Sequence, residues 1–259
     1  MKAPENSGRV AALARHPVKG FTPEMLESVT VKTGEHFPGD RLYAVEDGPC
    51  GFDPEAPAHI SKMAFTVLAK LPSVAAVRTN WIEDEGVLKA WHPDFGEISV
   101  DLDDESGRTM FATWLSGVLA GEVRGPLNVL SAPNAFRFMD SRTGYVSIIN
   151  LQSLRDFEAR IGRPVDPARF RGNIMVEGWP AWAELDMAGQ EIAIGKARLR
   201  GLKPIQRCRA PDVNPDTAMR DLDVVPLLRD HYGHFNCGLY AKVIEGGEVQ
   251  KGDPAYPVK

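Results

Sequence analysis

Cysteine is scarce: three in 259 residues, Cys50, Cys208 and Cys237, with no CxxC pair among them. An odd set of three excludes a self-contained disulfide framework and an all-cysteine iron–sulfur cluster, which needs four thiolates. The six histidines form no HExxH or comparable pair, and the His231/His234 spacing is weak ground for a metal site. GxGxxG, GxSxG and P-loop patterns are missing, which argues against dinucleotide, serine-hydrolase and NTP-binding readings. No run of about 18 apolar residues occurs, so no membrane-spanning helix is expected. The opening Met1–Arg9 has no apolar signal region behind it, and a cytoplasmic protein is expected. A net charge of -5 removes any general reason to bind nucleic acid or an anionic membrane, so an anion site has to be local.

What is present is ordinary for a soluble globular chain: 43% hydrophobic and 25% charged residues. From Arg9 to about Val129, short apolar segments alternate with Gly/Pro punctuation: Val10–Ala14, Ser28–Val31, Leu42–Val45, Val74–Trp81, Val87–Trp91 and Glu97–Val100. Their length and frequent period-two alternation predict strands. Helices are predicted over Ser61–Leu71, closed by Pro72, and over Arg108–Leu119. The acidic Asp101–Glu105 lacks the spacing and glycine of an EF-hand and reads as a solvated loop. Pro133–Tyr145 is polar and turn-rich, a passage between two units or, given Phe136 and Phe138, an ordered lid.

Beyond it a helix is predicted from Asn150 to about Ile161, with Asn150 or Ser153 as its N-cap. Strand-like segments follow at Asn173–Val176, Glu191–Ile194, Ala197–Leu202 and Gly238–Ile244, with a short helix at Val224–His231. Their spacing suggests a closed or partly closed barrel. The expected fold class is mainly β with some α (α+β): a β-rich unit over 9–130 and a β-barrel with peripheral helices over 131–259.

Charge is unevenly spread. Between Arg155 and Arg209 there are eleven Lys/Arg and seven Asp/Glu, so this stretch carries +4 and the remainder -9. Arginine suits bidentate grip on phosphate or carboxylate, although a solvated basic face explains the count as well. The sharper signal is Pro204-Ile205-Gln206-Arg207-Cys208-Arg209, one cysteine between two guanidinium groups just after a strand. Nearby positive charge favours thiolate over thiol, which makes such a cysteine a candidate nucleophile or soft-metal ligand.

Several segments, taken in order, resemble the MOSC-domain proteins that carry an N-terminal β-barrel domain, the group that includes the mitochondrial amidoxime-reducing component and its bacterial relatives. They are His16-Pro17-Val18-Lys19-Gly20, Gly39-Asp40-Arg41-Leu42, Ile149–Leu154, Arg169-Phe170-Arg171-Gly172-Asn173, Arg207-Cys208 with Asp212–Thr217, Gly238–Tyr240 and Val249–Asp253. The resemblance implies a molybdenum pterin cofactor, with Cys208 as metal ligand and catalytic thiolate. It implies pterin and phosphate contacts from Lys19, Gly20 and Arg41 in the first unit, and from Asn150, Arg171, Asn173, Gln206 and Arg207 in the barrel. It also implies an oxidoreductase that reduces N-hydroxylated small molecules such as amidoximes and hydroxylamines.

With so few cysteines the chain stores no electrons of its own, so an electron-donor protein is expected: a ferredoxin, a flavoprotein or a cytochrome-type carrier. Asp212 or Asp216 is a candidate proton donor, each equally readable as a turn or cap residue. A monomer without nucleic-acid or membrane partners is expected, and no pyridoxal-phosphate-type anion site. Two departures stand out: the family's PVKS reads PVKG, and its VDPxTG reads Val213-Asn214-Pro215-Asp216-Thr217-Ala218. The competing readings are a non-catalytic molybdenum-cofactor or sulfur carrier using the same thiolate, and a β-barrel interaction protein with Cys208 buried.

Overall fold

The computed structural model describes residues 7–143 and 145–258; most of the opening segment read for a targeting signal lies outside them. The fold is mainly β with three α-helices among the described residues. Seven strands close into a barrel in the spatial order Ile174–Glu177, Val146–Asn150, Asn236–Glu245, Ala197–Gln206, Glu191–Ile194, Pro254–Pro257 and Gly8–Arg15, and the last returns to pair with the first. Neighbours run antiparallel except Val146–Asn150 beside Ile174–Glu177. Period-two alternation does the sorting. Along Ala197–Gln206, Ala197 and Leu199 are buried while Arg198 and Arg200 are exposed, where they pair with Glu245 and Glu191. Leu13, Ile148, Ile174, Val176, Ile192 and Leu239 fill the interior, each contributing roughly 1.5–3 kcal/mol by leaving water.

The closing strand Gly8–Arg15 comes from the other end of the chain, and Ser28–Val31 pairs with Gly247–Gln250. The division at 130 therefore separates stretches of sequence and not separately closed structures: residues 131–259 leave a gap in the barrel that Gly8–Arg15 fills. The other unit is smaller. A three-stranded meander, Arg78–Ile82, Val87–His92 and Gly96–Asp101, and the pair Tyr43–Asp47 with Leu127–Ser131 pack around the helix Glu105–Val118 through Phe111 and Leu115.

Several sequence expectations change here. The acidic run is partly a helix cap: the Asp104 carboxylate accepts from the backbone N–H of Ser106 at 3.0 Å and Gly107 at 3.3 Å, so this helix starts before Arg108. Over Ser61–Leu71 only Lys62–Ala64 forms a single 3-10 turn. Phe65 and Thr66 instead lie along the strand Tyr43–Asp47, with Thr66 N–H donating to the Val45 carbonyl at 2.9 Å, and Phe65 and Val67 are buried. Tertiary pairing outweighs the helical spacing of the apolar residues. Likewise Pro72 opens a 3-10 turn, and the next strand begins only at Arg78. Among the described residues no helix is long and apolar enough to cross a membrane.

Candidate functional site

A cavity of about 750 Å³ is lined by both units: Lys19, Gly20, Arg41 and Lys62 from one, and Arg171, Gln206 and Cys208 from the barrel. The segment His16–Gly20 is held by reciprocal backbone bonds, Lys19 N–H to the Tyr43 carbonyl at 2.8 Å and Tyr43 N–H to the Pro17 carbonyl at 3.0 Å. Gly20 turns with φ +97, and a Cβ there would stand 2.5 Å from the Thr66 carbonyl oxygen. Glycine in place of the family's serine is therefore dictated by the backbone at this position.

Gly39-Asp40-Arg41 builds the next wall. The fully buried Asp40 carboxylate accepts from the His16 backbone N–H at 2.7 Å and pairs with the Arg41 guanidinium, so it fixes the arginine that faces the cavity. Burial opposes the Asp40 charge, but Arg41 and His16 hold its carboxyl well below the usual range. Burial, reinforced by Arg171, drives His16 down to about 3, so its ring is neutral. Arg41 and Arg171 both occupy the left-handed region, φ 54 and 52, which costs non-glycine residues of order 1 kcal/mol each and is often found where a site imposes it.

The cavity is strongly positive. Eight Lys and Arg line it, against one carboxylate, Asp140. Burial and then Arg41 pull Arg171 down to about 9, so two guanidinium groups stand in one another's field at this wall. Arg171 Nη1 donates to the Phe21 carbonyl at 2.6 Å, whereas its buried Nη2 has no partner among the described residues. Lys19 Nζ donates to the Phe138 carbonyl at 2.7 Å and to Asp140. Asp140 also lies 3.8 Å from Lys62 Nζ. Burial works against the Asp140 charge, yet Lys19 and Lys62 keep the group ionised. Lys62, opposed by its own burial, is raised by Asp140 and by the sulfur of Cys208.

Of the residues singled out in the sequence, Lys19, Gly20, Arg41, Arg171, Gln206, Arg207 and Cys208 meet at this cavity, and Asn150 and Asn173 do not. Asn150 caps the helix Leu151–Ile161, its Oδ1 accepting from Gln152 N–H at 3.0 Å. Its Nδ2 donates to the Pro180 carbonyl and to the buried Glu184. Asn173 accepts from Ser147 N–H and Oγ and donates to the Ala14 carbonyl, tying the closing strand to the barrel. Both amides are fully buried, and each is hydrogen-bonded through its oxygen and its nitrogen.

Neither flanking arginine is devoted to the thiol. Arg207 braces backbone carbonyls and lies over the Phe170 ring at 5.1 Å, and Arg209 reaches Asp212 at 3.5 Å. Lys62, in a segment whose apolar spacing predicts a helix, is a cation beside the Cys208 sulfur. Asp212 binds the Val224 N–H at 2.9 Å, and Asp216 pairs with Arg78; neither lines the cavity. Ala218 takes φ 56 where the family has glycine, and Asn214 closes the turn by accepting from the N–H of Asp216 at 2.8 Å. The basic excess of 155–209 is divided: Arg169, Arg171, Lys203 and Arg207 line the cavity, while Lys196, Arg198 and Arg200 form surface pairs. Pro133–Tyr145 contributes a wall through Met139, Asp140, Ser141, Arg142 and Thr143.

The donor set suits an anionic, sulfur-rich cofactor. The volume lies within the roughly 300–1,000 Å³ of small-molecule sites, and the orphaned Arg171 Nη2 lacks an acceptor. Among the described residues no group of three His, Cys, Asp or Glu is placed to hold a metal, so a metal at Cys208 needs other ligands, as a pterin dithiolene provides.

Residues 7–125 match the MOSC N-terminal beta barrel domain, and residues 135–256 match the MOSC domain. The chain belongs to the MOSC-domain proteins with an N-terminal MOSC barrel domain, a family associated with molybdenum-cofactor binding. It is similar to mitochondrial amidoxime-reducing component 1 of Mus musculus, 28% identical over 121 residues, 42% of this chain and 35% of that protein. The Homo sapiens protein of the same name is 29% identical over 130 residues, 45% of this chain and 37% of its own length. The match thus spans little more than a third of these curated relatives. Among solved structures, the YuaD protein of Bacillus subtilis covers 96% of this chain and 94% of its own, at 14% identity and TM-score 0.48. YiiM of Geobacillus stearothermophilus covers 46% of this chain and 56% of its own, at 19% identity and TM-score 0.36.

Proposed function

We propose that the chain is a molybdenum-cofactor-dependent reductase of N-hydroxylated compounds. The observation that supports this reading most is the meeting of one thiol, Cys208, with a cavity lined by eight cations and one carboxylate. Arg41, Arg171 and Lys19 would hold the cofactor's phosphate, Gln206 and the Gly20 backbone would face the pterin's polar edges, and Cys208 would bind the metal. When bound, the molybdenum centre supplies two-electron oxygen-atom chemistry.

The chain's own contribution would be binding, orientation and hydrogen-bond donation. Reduction of an amidoxime consumes two electrons and two protons and yields an amidine and water. Lys62, opposed by its own burial but raised by Asp140 and the sulfur of Cys208, stays an ammonium and would donate hydrogen bonds to the departing oxygen. Asp140, ionised between Lys19 and Lys62, holds both ammonium groups in place. The two electrons come from a separate carrier protein, since three cysteines provide no cluster. The test is reduction of benzamidoxime by cofactor-loaded protein with an artificial electron donor. Benzamidine should form, and its formation should fail in Cys208→Ser. A fully loaded protein that forms none would contradict the reading.

A further inference from the structure

A second cavity of about 460 Å³ opens beside the first and shares His59, Met139, Ser141 and Arg142 with it. Ala58, Ala135 and Phe136 give it an apolar surface; Arg137 and His36 complete it, and no carboxylate lines it. Two buried atoms there have no hydrogen-bond partner among the described residues: Arg137 Nε and His36 Nδ1. Neither side chain is loose. Arg137 Nη1 donates to the Asn134 carbonyl at 2.8 Å and the Phe136 carbonyl at 2.5 Å, and the His36 ring stacks on Tyr145 with centroids 4.6 Å apart. Burial, then Arg137, lowers His36 to about 4, so near neutral pH it is an uncharged ring and the chamber's positive charge comes from Arg137 and Arg142.

A buried guanidinium N–H without an acceptor is unfavourable, and an acceptor that reaches Arg137 from the chamber relieves that. Glu35 and Asp40 act on Arg137 from outside the chamber, but the lining itself pairs apolar surface with two arginines and no carboxylate, which is the complement of a flat molecule with an anionic end. We propose that this chamber holds the end of the substrate remote from the reacting nitrogen, and that it selects aromatic N-hydroxylated compounds bearing a carboxylate. This rests on the reductase reading and specifies the substrate class of the same site.

The test is calorimetric binding, which needs no turnover, of benzamidoxime and 4-carboxybenzamidoxime to the protein with its cofactor. The wild type should bind the carboxylate compound about tenfold more tightly, and Arg137→Gln should abolish that preference. Ala58 is exposed, so Ala58→Trp narrows the chamber with little risk to folding and should abolish the preference too. Unchanged thermal unfolding midpoints confirm that both variants fold. Equal binding of the two compounds by the wild type, or a preference retained in either variant, would overturn the proposal. So would recovery of a nucleotide-extended pterin from the wild type that is lost in Ala58→Trp. Absence of turnover with binding preferences intact would instead count against the reductase reading alone.

Discussion

Arg207 donates from Nε to the carbonyl of Cys237 at 2.7 Å, so the arginine that precedes the cavity thiol clamps the neighbouring strand. Its Nη1 donates to the Phe170 carbonyl at 2.9 Å, and its plane covers the Phe170 ring. Gly238, φ 85, sits beside it: a Cβ there would stand 2.7 Å from the Ile148 carbonyl oxygen and 3.1 Å from Arg207 Nη2. One guanidinium thus joins three segments that build the cavity rim. Arg207→Lys should lose about 2–4 kcal/mol of stability, because a point charge cannot reproduce the fork. Urea denaturation measures this, and a loss under about 0.5 kcal/mol would show that the brace is dispensable.

Gly20→Ser restores the family's serine and is nonetheless expected to harm this protein. The position has φ +97 with the Thr66 carbonyl oxygen 2.5 Å from any Cβ. The substitution should cost about 1–3 kcal/mol, lowering the thermal midpoint by several degrees. An unchanged midpoint would mean that the Thr66 segment moves aside freely.

Stability should also carry a histidine signature in acid. His16 is buried, and burial with Arg171 places its folded value at about 3 against 6.5 ordinarily. Between those values the unfolded chain binds a proton that the folded chain does not. Its contribution is therefore complete above pH 6.5 and falls as pH drops toward 3, by up to about 1.4 kcal/mol per pH unit. Urea midpoints from pH 7 to 4 should fall more steeply for wild type than for His16→Gln. Parallel curves would contradict this.

The proposed anion grip sets the folding and binding roles of Arg171 against each other. Its guanidinium is buried beside Arg41, with Nη2 unpartnered. Arg171→Gln removes that like-charge contact together with the bond to the Phe21 carbonyl. The cofactor-free variant should change in stability by less than about 1 kcal/mol, while purified protein loses most of its pterin and molybdenum. Normal loading would remove Arg171 from the anion grip.

The sequence announced much of this, and the parts it did not announce share a cause. Alternation along Ala197–Gln206 and Asn236–Glu245 marks the barrel because one face is buried. Gly8–Arg15 alternates equally well, but no local pattern says that it closes the far end of the chain's barrel. Lys19, Arg41, Arg171 and Cys208 lie in motif segments and do converge. Asn150 and Asn173 lie in motif segments too, yet a short amide can cap a helix or join strands as readily as it reads a pterin. Lys62 and Asp140 were missed because their importance comes from long-range neighbours. The turn-rich composition of Pro133–Tyr145 was the one available hint of the wall that holds Asp140.

The central claim is that Cys208 holds molybdenum in this cavity, and metal analysis of purified protein tests it most directly. Expressed in a host that makes the cofactor, wild type, Cys50→Ser and Cys237→Ala should each carry close to one molybdenum and one pterin per chain, and Cys208→Ser should carry pterin at most. Wild-type protein without molybdenum, or Cys208→Ser with a full complement, would contradict the account.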